Sequence, residues 1–298
     1  PIGTLADKVR VGMMRMGLLS SRSMPDNCST INALGNMGFG YSMIDRFWKP
    51  FMRGVFLENE LSTTIRKFEE TFRFFSKGDT VLPKNGIGEI PRQLAGQIPN
   101  DHILLETEIS KVGPNSVESL DGTKWEGMAV VLATEDYHAN QLLGLGTQVD
   151  DWNSVDCLYY SLPVDDLPSD ERILYLDGTG NGPINNLTFV STLCDCAPVG
   201  QALASVSVIG KKEWDIEEIA NQAKNQLAEW FGKKAEGWKY LKGYRIHQAV
   251  PSCPTPPSPK PAFTEVYRCG DYFGLPSIDS AMKSGRLTAE HIIRESES

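Results

Sequence analysis

The chain lacks most of the patterns that assign a chemistry outright. Its longest uninterrupted apolar run, residues 127–133, falls far short of the roughly 18 residues that cross a bilayer, so no transmembrane segment is expected. Basic residues are few: 29 Lys and Arg stand against 38 Asp and Glu, a net charge of −9. That balance removes the electrostatic footprint of a nucleic-acid binder or an anionic-membrane binder. The six cysteines (Cys28, Cys157, Cys194, Cys196, Cys253, Cys269) are scattered and read as reduced thiols rather than a disulfide framework. Cys194-Asp-Cys196 has no second pair or histidine beside it. The four histidines, His102, His138, His247 and His291, fall at no ligand spacing, so no metal is expected. A G-x-S-x-G elbow for hydrolysis is missing. So is G-x-G-x-x-G: the glycine sets Gly35/Gly38/Gly40, Gly86/Gly88, Gly144/Gly146 and Gly178/Gly180/Gly182 do not fit it. The start, Pro1-Ile-Gly-Thr-Leu, has no initiator Met and no leader-like apolar region. It reads as a chain entered partway through a larger protein.

What is present is ordinary globular material, 41% apolar and 22% charged over 298 residues, enough for one large domain or two average ones. Leu5, Val9, Met13, Met16 and Leu19 recur at helical spacing, as do Ile65, Phe68, Phe72 and Phe75 up to Gly78. The first eighty residues are therefore expected to be almost wholly helical. After Thr80 the character changes. Gly86-Ile-Gly88 leads into a helix to about Gln97, followed by short strands near 102–106, 108–112 and 117–120. Residues 128–133 are continuously apolar, as in a strand buried on both faces. A helix over 135–143 comes next. The runs 155–162, 173–176, 187–192 and 202–208 predict an antiparallel sheet, and 214–231 an amphipathic helix with acids in its first turn. Trp152, Tyr159, Tyr160 and Trp238 read as packing residues. Pro251–Pro261 carries six prolines in eleven residues, a stiff extended crossing between two lobes.

The most informative pattern closes the chain. Phe263–Asp271 reads as a strand ending in Gly270-Asp271. A short loop follows, and then a helix opens with Ser277-Ile278-Asp279-Ser280-Ala281. A strand ending this way brings backbone close to a neighbour and presents a carboxylate at the carboxyl edge of a sheet, where open α/β sheets bind ligands. The helix aims its first N–H groups and positive dipole end at the same place, which favours an anion or an electron-rich acceptor. Ser280, Ala281, Ser284 and Gly285 keep one helix face bare for close approach. The same residues would equally make a solvent-facing helix capped by Ser277, with Asp279 complementing its dipole.

This segment resembles the C-terminal flavin-binding segment of the FAD-dependent amine oxidase and phytoene desaturase superfamily. Three other stretches carry the likeness: Leu82–Ala95 with Ile103–Val112, Glu126–Thr134, and Tyr240–Pro251. Two departures stand out: Gly86-Ile-Gly88 replaces the usual Gly-Gly pair, and Ser280 stands where the family usually has Gly. The resemblance implies that Asp271 hydrogen-bonds a ribityl or phosphate oxygen of FAD. Backbone from Ile278 to Ala281 would lie beside flavin N1 and the C2 carbonyl, and backbone at Ile109 would contact the adenine.

The implied fold is α/β plus α+β. An FAD-binding Rossmann-like domain (81–134 and 262–298), lacking its N-terminal βαβ half, carries an inserted substrate domain of helices and antiparallel sheet (1–80 and 135–261). The implied activity is FAD-dependent oxidation or desaturation of a small molecule, an amine, a polyene or a porphyrinogen, with hydride passing to flavin N5. The cofactor carries that chemistry, and no catalytic side chain is singled out. Because the phosphate cradle is absent, FAD is conditional on a further N-terminal segment of about a hundred residues. The alternative is an FAD-less structural subunit of a larger assembly, with a protein partner covering exposed surface. The likeness to plant and cyanobacterial desaturase-like members implies a chloroplast.

Overall fold

The computed structural model describes residues 2–146, 152–210, 213–252 and 266–297. In chain order it forms helices α1 (Leu5–Arg15), α2 (Thr30–Asn36), α3 (Tyr41–Met43), α4 (Lys49–Phe56), α5 (Ile65–Lys77) and α6 (Glu89–Ala95). Strands β1 (Ile109–Val112), β2 (Ser116–Ser119), β3 (Lys124–Glu126) and β4 (Val131–Leu132) then precede helix α7 (Asp136–Leu142). Next come β5 (Trp152–Pro163), β6 (Leu174–Leu176), β7 (Asn186–Phe189), β8 (Gln201–Ile209), α8 (Ile216–Phe231) and α9 (Lys233–Glu236). The chain closes with β9 (Lys239–Pro251), β10 (Tyr267–Arg268) and α10 (Ile278–Ser296). Two compact units result, Pro1–Ala95 with Trp152–Pro254, and Gly96–Asp151 with Thr255–Ser298. Residues 81–95, expected with the cofactor-binding half, pack within the first unit. No helix among the described residues is long and apolar enough to cross a membrane.

The first unit has two cores. One lies between helices, around Trp48, with Leu34, Met52, Leu61, Ile65 and Phe68 buried about it. Phe39, Phe47, Phe68 and Phe72 meet the indole edge-on, with ring centroids 5.0–5.9 Å away. Trp48 ends a wide π-helical turn, Ile44–Trp48, that joins α3 to α4. Pro50 follows two residues on; it has no N–H to bond back and its ring crowds the carbonyl four residues earlier, so a regular helix cannot run through.

The other core lies between α8 and a five-stranded antiparallel sheet of order β6-β7-β8-β5-β9. The alternation along β5 is regular: Leu158, Tyr160 and Leu162 are buried against α8, while Cys157, Tyr159 and Ser161 are half-buried on the opposite face. Tyr160 donates its hydroxyl to the Ala220 carbonyl at 2.8 Å, and Trp238 is fully buried in the same core. Asp156, on the α8 side, holds Arg245 of β9 by two hydrogen bonds of 2.9 and 3.0 Å. Helices and sheet are tied where Asn185 donates to the Pro50 carbonyl and Asn153 to the Phe56 carbonyl, both at 2.9 Å.

Several expected elements differ. The first helix stops at Arg15 because Gly17 is left-handed, φ +72°. Its apolar stripe is not the packed face: Leu5, Val9 and Met16 are exposed, and Asp7 and Met14 are buried instead. The strand expected at 102–106 is absent, with Glu106 at φ +53°. That expected at 128–133 shrinks to β4, with Met128 exposed, so it is not buried on both faces. Residues 190–192 form a short 3-10 turn rather than extending β7. The proline crossing lies outside the described residues from 253 on, as does 263–265 of the closing strand.

Asp7 anchors α1. It accepts the Gly40 amide and the Thr4 amide at 2.8 Å each and the Thr4 hydroxyl at 2.7 Å, with Arg10 3.7 Å away. These bonds, the Gly40 amide first, hold its pKa down to about 2. A depressed carboxylate contributes stability above its unfolded pKa and loses it as pH falls through the folded one. The urea midpoint should therefore decline between about pH 4 and pH 2, and Asp7→Asn should remove that part of the decline. An acid limb identical in the variant would refute the assignment.

Candidate functional site

The closing segment of the chain lies in the second unit. Strand β10 pairs parallel with β4, Tyr267 opposite Val131 and Arg268 opposite Leu132. Two flanking bonds extend the ladder, from the Tyr267 amide to the Val130 carbonyl (2.9 Å) and from Cys269 to Leu132 (3.0 Å). Leu132, Ala139 and Val266 form the small buried core beneath. A parallel pair of this kind leaves Gly270 and Asp271 at its carboxyl edge.

The loop turns back over itself. Gly270 is extended, so its lack of a side chain answers to space and not to backbone strain. A Cβ there would lie 2.2 Å from the Tyr272 ring. Tyr272 donates to the Cys269 carbonyl at 3.2 Å, and the Arg268 guanidinium sits 5.4 Å from its ring centroid. Arg268 also pairs with Asp136 at the start of α7. Burial pushes the Tyr272 hydroxyl and the Cys269 thiol up, so both stay neutral at pH 7. The neighbour that Gly270 admits is thus a tyrosine of its own loop.

Helix α10 begins where Ser277 accepts the Ser280 amide at 3.1 Å. Its small polar face packs on β10: Ser284 accepts the Gly270 amide at 3.2 Å, and Thr288 donates to the Arg268 carbonyl at 3.4 Å. Both side chains are buried. The Ser280 hydroxyl turns back to the Leu275 carbonyl at 2.7 Å, and only a glycine at 274 leaves room for it, since a Cβ would come within 2.8 Å. Ser280 is therefore used to close its own loop. Ser277, Ile278 and Asp279 are exposed at the helix mouth, while Asp271, Ser280 and Ala281 are half-buried. Among the described residues the Ile278 and Asp279 amides donate to nothing; Ala281 bonds back to the Ser277 carbonyl.

Seven of the eight site residues read from sequence, Gly270, Asp271, Ser277, Ile278, Asp279, Ser280 and Ala281, are thus brought together on one loop and helix start. Ile109 is not among them. It is half-buried at the beginning of β1, opposite Ser119 in a separate three-stranded antiparallel sheet, β1-β2-β3. There Lys111, and more weakly Lys124, hold Glu118 below the usual carboxylate range. The sequence reading missed Arg268, Asp136, Tyr272 and Thr288. The Arg268–Asp136 pair spans 132 residues, a separation no local pattern reports. Among the described residues no cluster of His, Cys, Asp or Glu is fit to hold a metal.

A parallel strand pair whose carboxyl edge runs through a loop into an open helix N-terminus is common to open α/β folds, and several solved structures share the fold of this chain. An oxidoreductase from Methanosarcina mazei superposes with a TM-score of 0.73 at 14% identity, covering 96% of this chain and 73% of that one. A putrescine oxidase gives 0.68 at 13% identity, covering 98% and 76%. Cyclohexylamine oxidase from Brevibacterium oxydans gives 0.65 at 13% identity, covering 98% and 74%. No curated protein sequence matches. The sequence profile of the flavin containing amine oxidoreductases, however, matches residues 4–293. The chain belongs to that family, and its chemistry is that of a flavin-dependent oxidoreductase.

Proposed function

We propose that this chain supplies one wall of an FAD site together with the substrate-binding part of an FAD-dependent amine oxidase or desaturase-type enzyme. The observation that carries this reading is the exposed start of α10, where the Ile278 and Asp279 amides make no bond among the described residues and the dipole of a 19-residue helix ends. That donor set suits the pyrimidine edge of a flavin, where charge accumulates on reduction. When bound, the flavin accepts hydride at N5 from an organic substrate. The residues of this chain do the rest. Backbone from Ile278 to Ala281 would hold the N1 and C2 edge, Asp271 would bond the ribityl or phosphate chain, and backbone at Ile109 would contact the adenine.

In this reading the second compact unit, Gly96–Asp151 with Thr255–Ser298, belongs to a Rossmann-like cofactor domain. The first unit, Pro1–Ala95 with Trp152–Pro254, forms the substrate domain, and a plastid setting belongs to the same reading. The test is a visible absorption scan of the purified full-length protein. Flavin bands that disappear on Ile278→Pro are expected, because proline removes one of the two open amides while remaining compatible with the first turn of a helix. A colourless full-length protein, with no bands restored by added FAD, would refute the proposal and leave the structural-subunit reading.

A further inference from the structure

The first unit holds a half-open cavity of about 360 Å³ between α4, the end of α5, residues 80–82 and the sheet edge β6–β7. Its walls are apolar. Phe51 and Phe75 pack with ring centroids 5.2 Å apart, and Val55, Val81, Leu174 and Leu193 complete most of the lining. Three of these, Phe75, Val81 and Leu174, are 45%, 76% and 44% exposed at the opening. Large apolar side chains gathered at one mouth mark a binding surface more often than chance exposure.

The polar floor asks nothing of a ligand. Thr188 donates to the Ile173 carbonyl at 3.1 Å, and Asn186 is held between Asn185 (2.9 Å) and Ser207 (3.4 Å). Among the described residues the lining contains one charged residue, Arg172. It is exposed and makes no ion pair or hydrogen bond among the described residues, its neighbour Glu171 included. Among the described residues no acid lines the cavity to receive an ammonium group.

We infer that this cavity binds a small aromatic or aliphatic carboxylate, its apolar body between the phenylalanines and its carboxylate on Arg172. At about 30 Å³ per non-hydrogen atom, the volume share of a water, the space takes on the order of a dozen such atoms. Arginine is suited to the task because its planar fork matches a carboxylate with two parallel bonds. The lone cation equally opposes a protonated amine, so a cationic amine is the wrong ligand here. That the cavity serves turnover rests on the oxidoreductase reading; that it binds an anion does not.

Calorimetric titration of the full-length protein with phenylpropionate, phenylpropanol and phenylpropylamine separates these cases. The acid is expected to bind at least roughly tenfold tighter than the amine, with the alcohol between them. Arg172→Gln should abolish the advantage of acid over alcohol and leave the alcohol unchanged. Val81→Trp, placed at the exposed mouth, should weaken all three. An amine that binds as tightly as the acid, an acid preference that survives Arg172→Gln, or binding of none of the three overturns the proposal. The heat signal does not require flavin. A colourless protein that still selects the acid therefore refutes only the flavin reading, and a yellow protein that does not select it refutes only the cavity.

Discussion

Trp48→Ala is expected to cost about 3–5 kcal/mol, the usual range for truncating a buried large aromatic to alanine. The indole is 1% exposed and meets four phenylalanine rings, so its removal leaves a cavity that helices α2 to α5 cannot close by small shifts. Against a typical total stability of about 5–15 kcal/mol, that loss should unfold much of the helical core at 37 °C. Trp48→Phe should be far milder, at roughly 1–2 kcal/mol. Among the described residues the indole N–H is buried without a partner, so the smaller ring sacrifices contacts but also removes an unsatisfied donor. Urea unfolding followed by far-ultraviolet circular dichroism measures both. An alanine variant within about 1 kcal/mol of the parent, or a phenylalanine variant as damaging as alanine, would show that Trp48 is not the keystone of this core.

Gly270→Ala is expected to loosen the loop that carries the candidate flavin contacts. The new methyl would sit 2.2 Å from the Tyr272 ring edge, and the ring cannot simply swing away. Its hydroxyl is bonded to the Cys269 carbonyl, and Arg268 lies beside it. Overpacking of this sort costs about 1–3 kcal/mol. Under the proposed function it should also displace Asp271 and the start of α10, lowering the flavin retained per protein severalfold. Adding Tyr272→Ala supplies the control, since the double variant should recover most of the stability lost by Gly270→Ala alone. Thermal denaturation gives one readout and flavin absorbance after gel filtration the other. If the two substitutions prove additive, the close contact is not what requires glycine at this position.

The two results would bear on different parts of the molecule. Trp48 tests whether the helical layer has a single packing centre, and Gly270 tests whether the loop is rigid enough to aim a helix mouth. Asp7 and Gly40 stand apart from both. They join sequence-distant backbone through one carboxylate, which explains why a residue on a surface helix is buried and strongly acidic.

Much of this architecture was legible in the sequence because it rests on short-range physics. The Ile65–Phe75 helix, the Ser277 cap and the strand runs of β5 and β8 each follow from helical period, strand composition or capping chemistry within a few residues. The gathering of Gly270 to Ala281 was legible for the same reason, since these residues are neighbours in the chain. What the sequence could not report is what each of them touches. It left open that Gly270 makes room for Tyr272, that Ser280 closes its own loop, that Arg268 pairs with Asp136 across 132 positions, and that α1 turns Leu5 and Val9 outward while burying Asp7. The cavity beside Arg172 is likewise assembled from five separated stretches of chain. Local periodicity decides which elements form; which faces meet, and which charge is left without a partner, depends on long-range packing that only the folded chain determines.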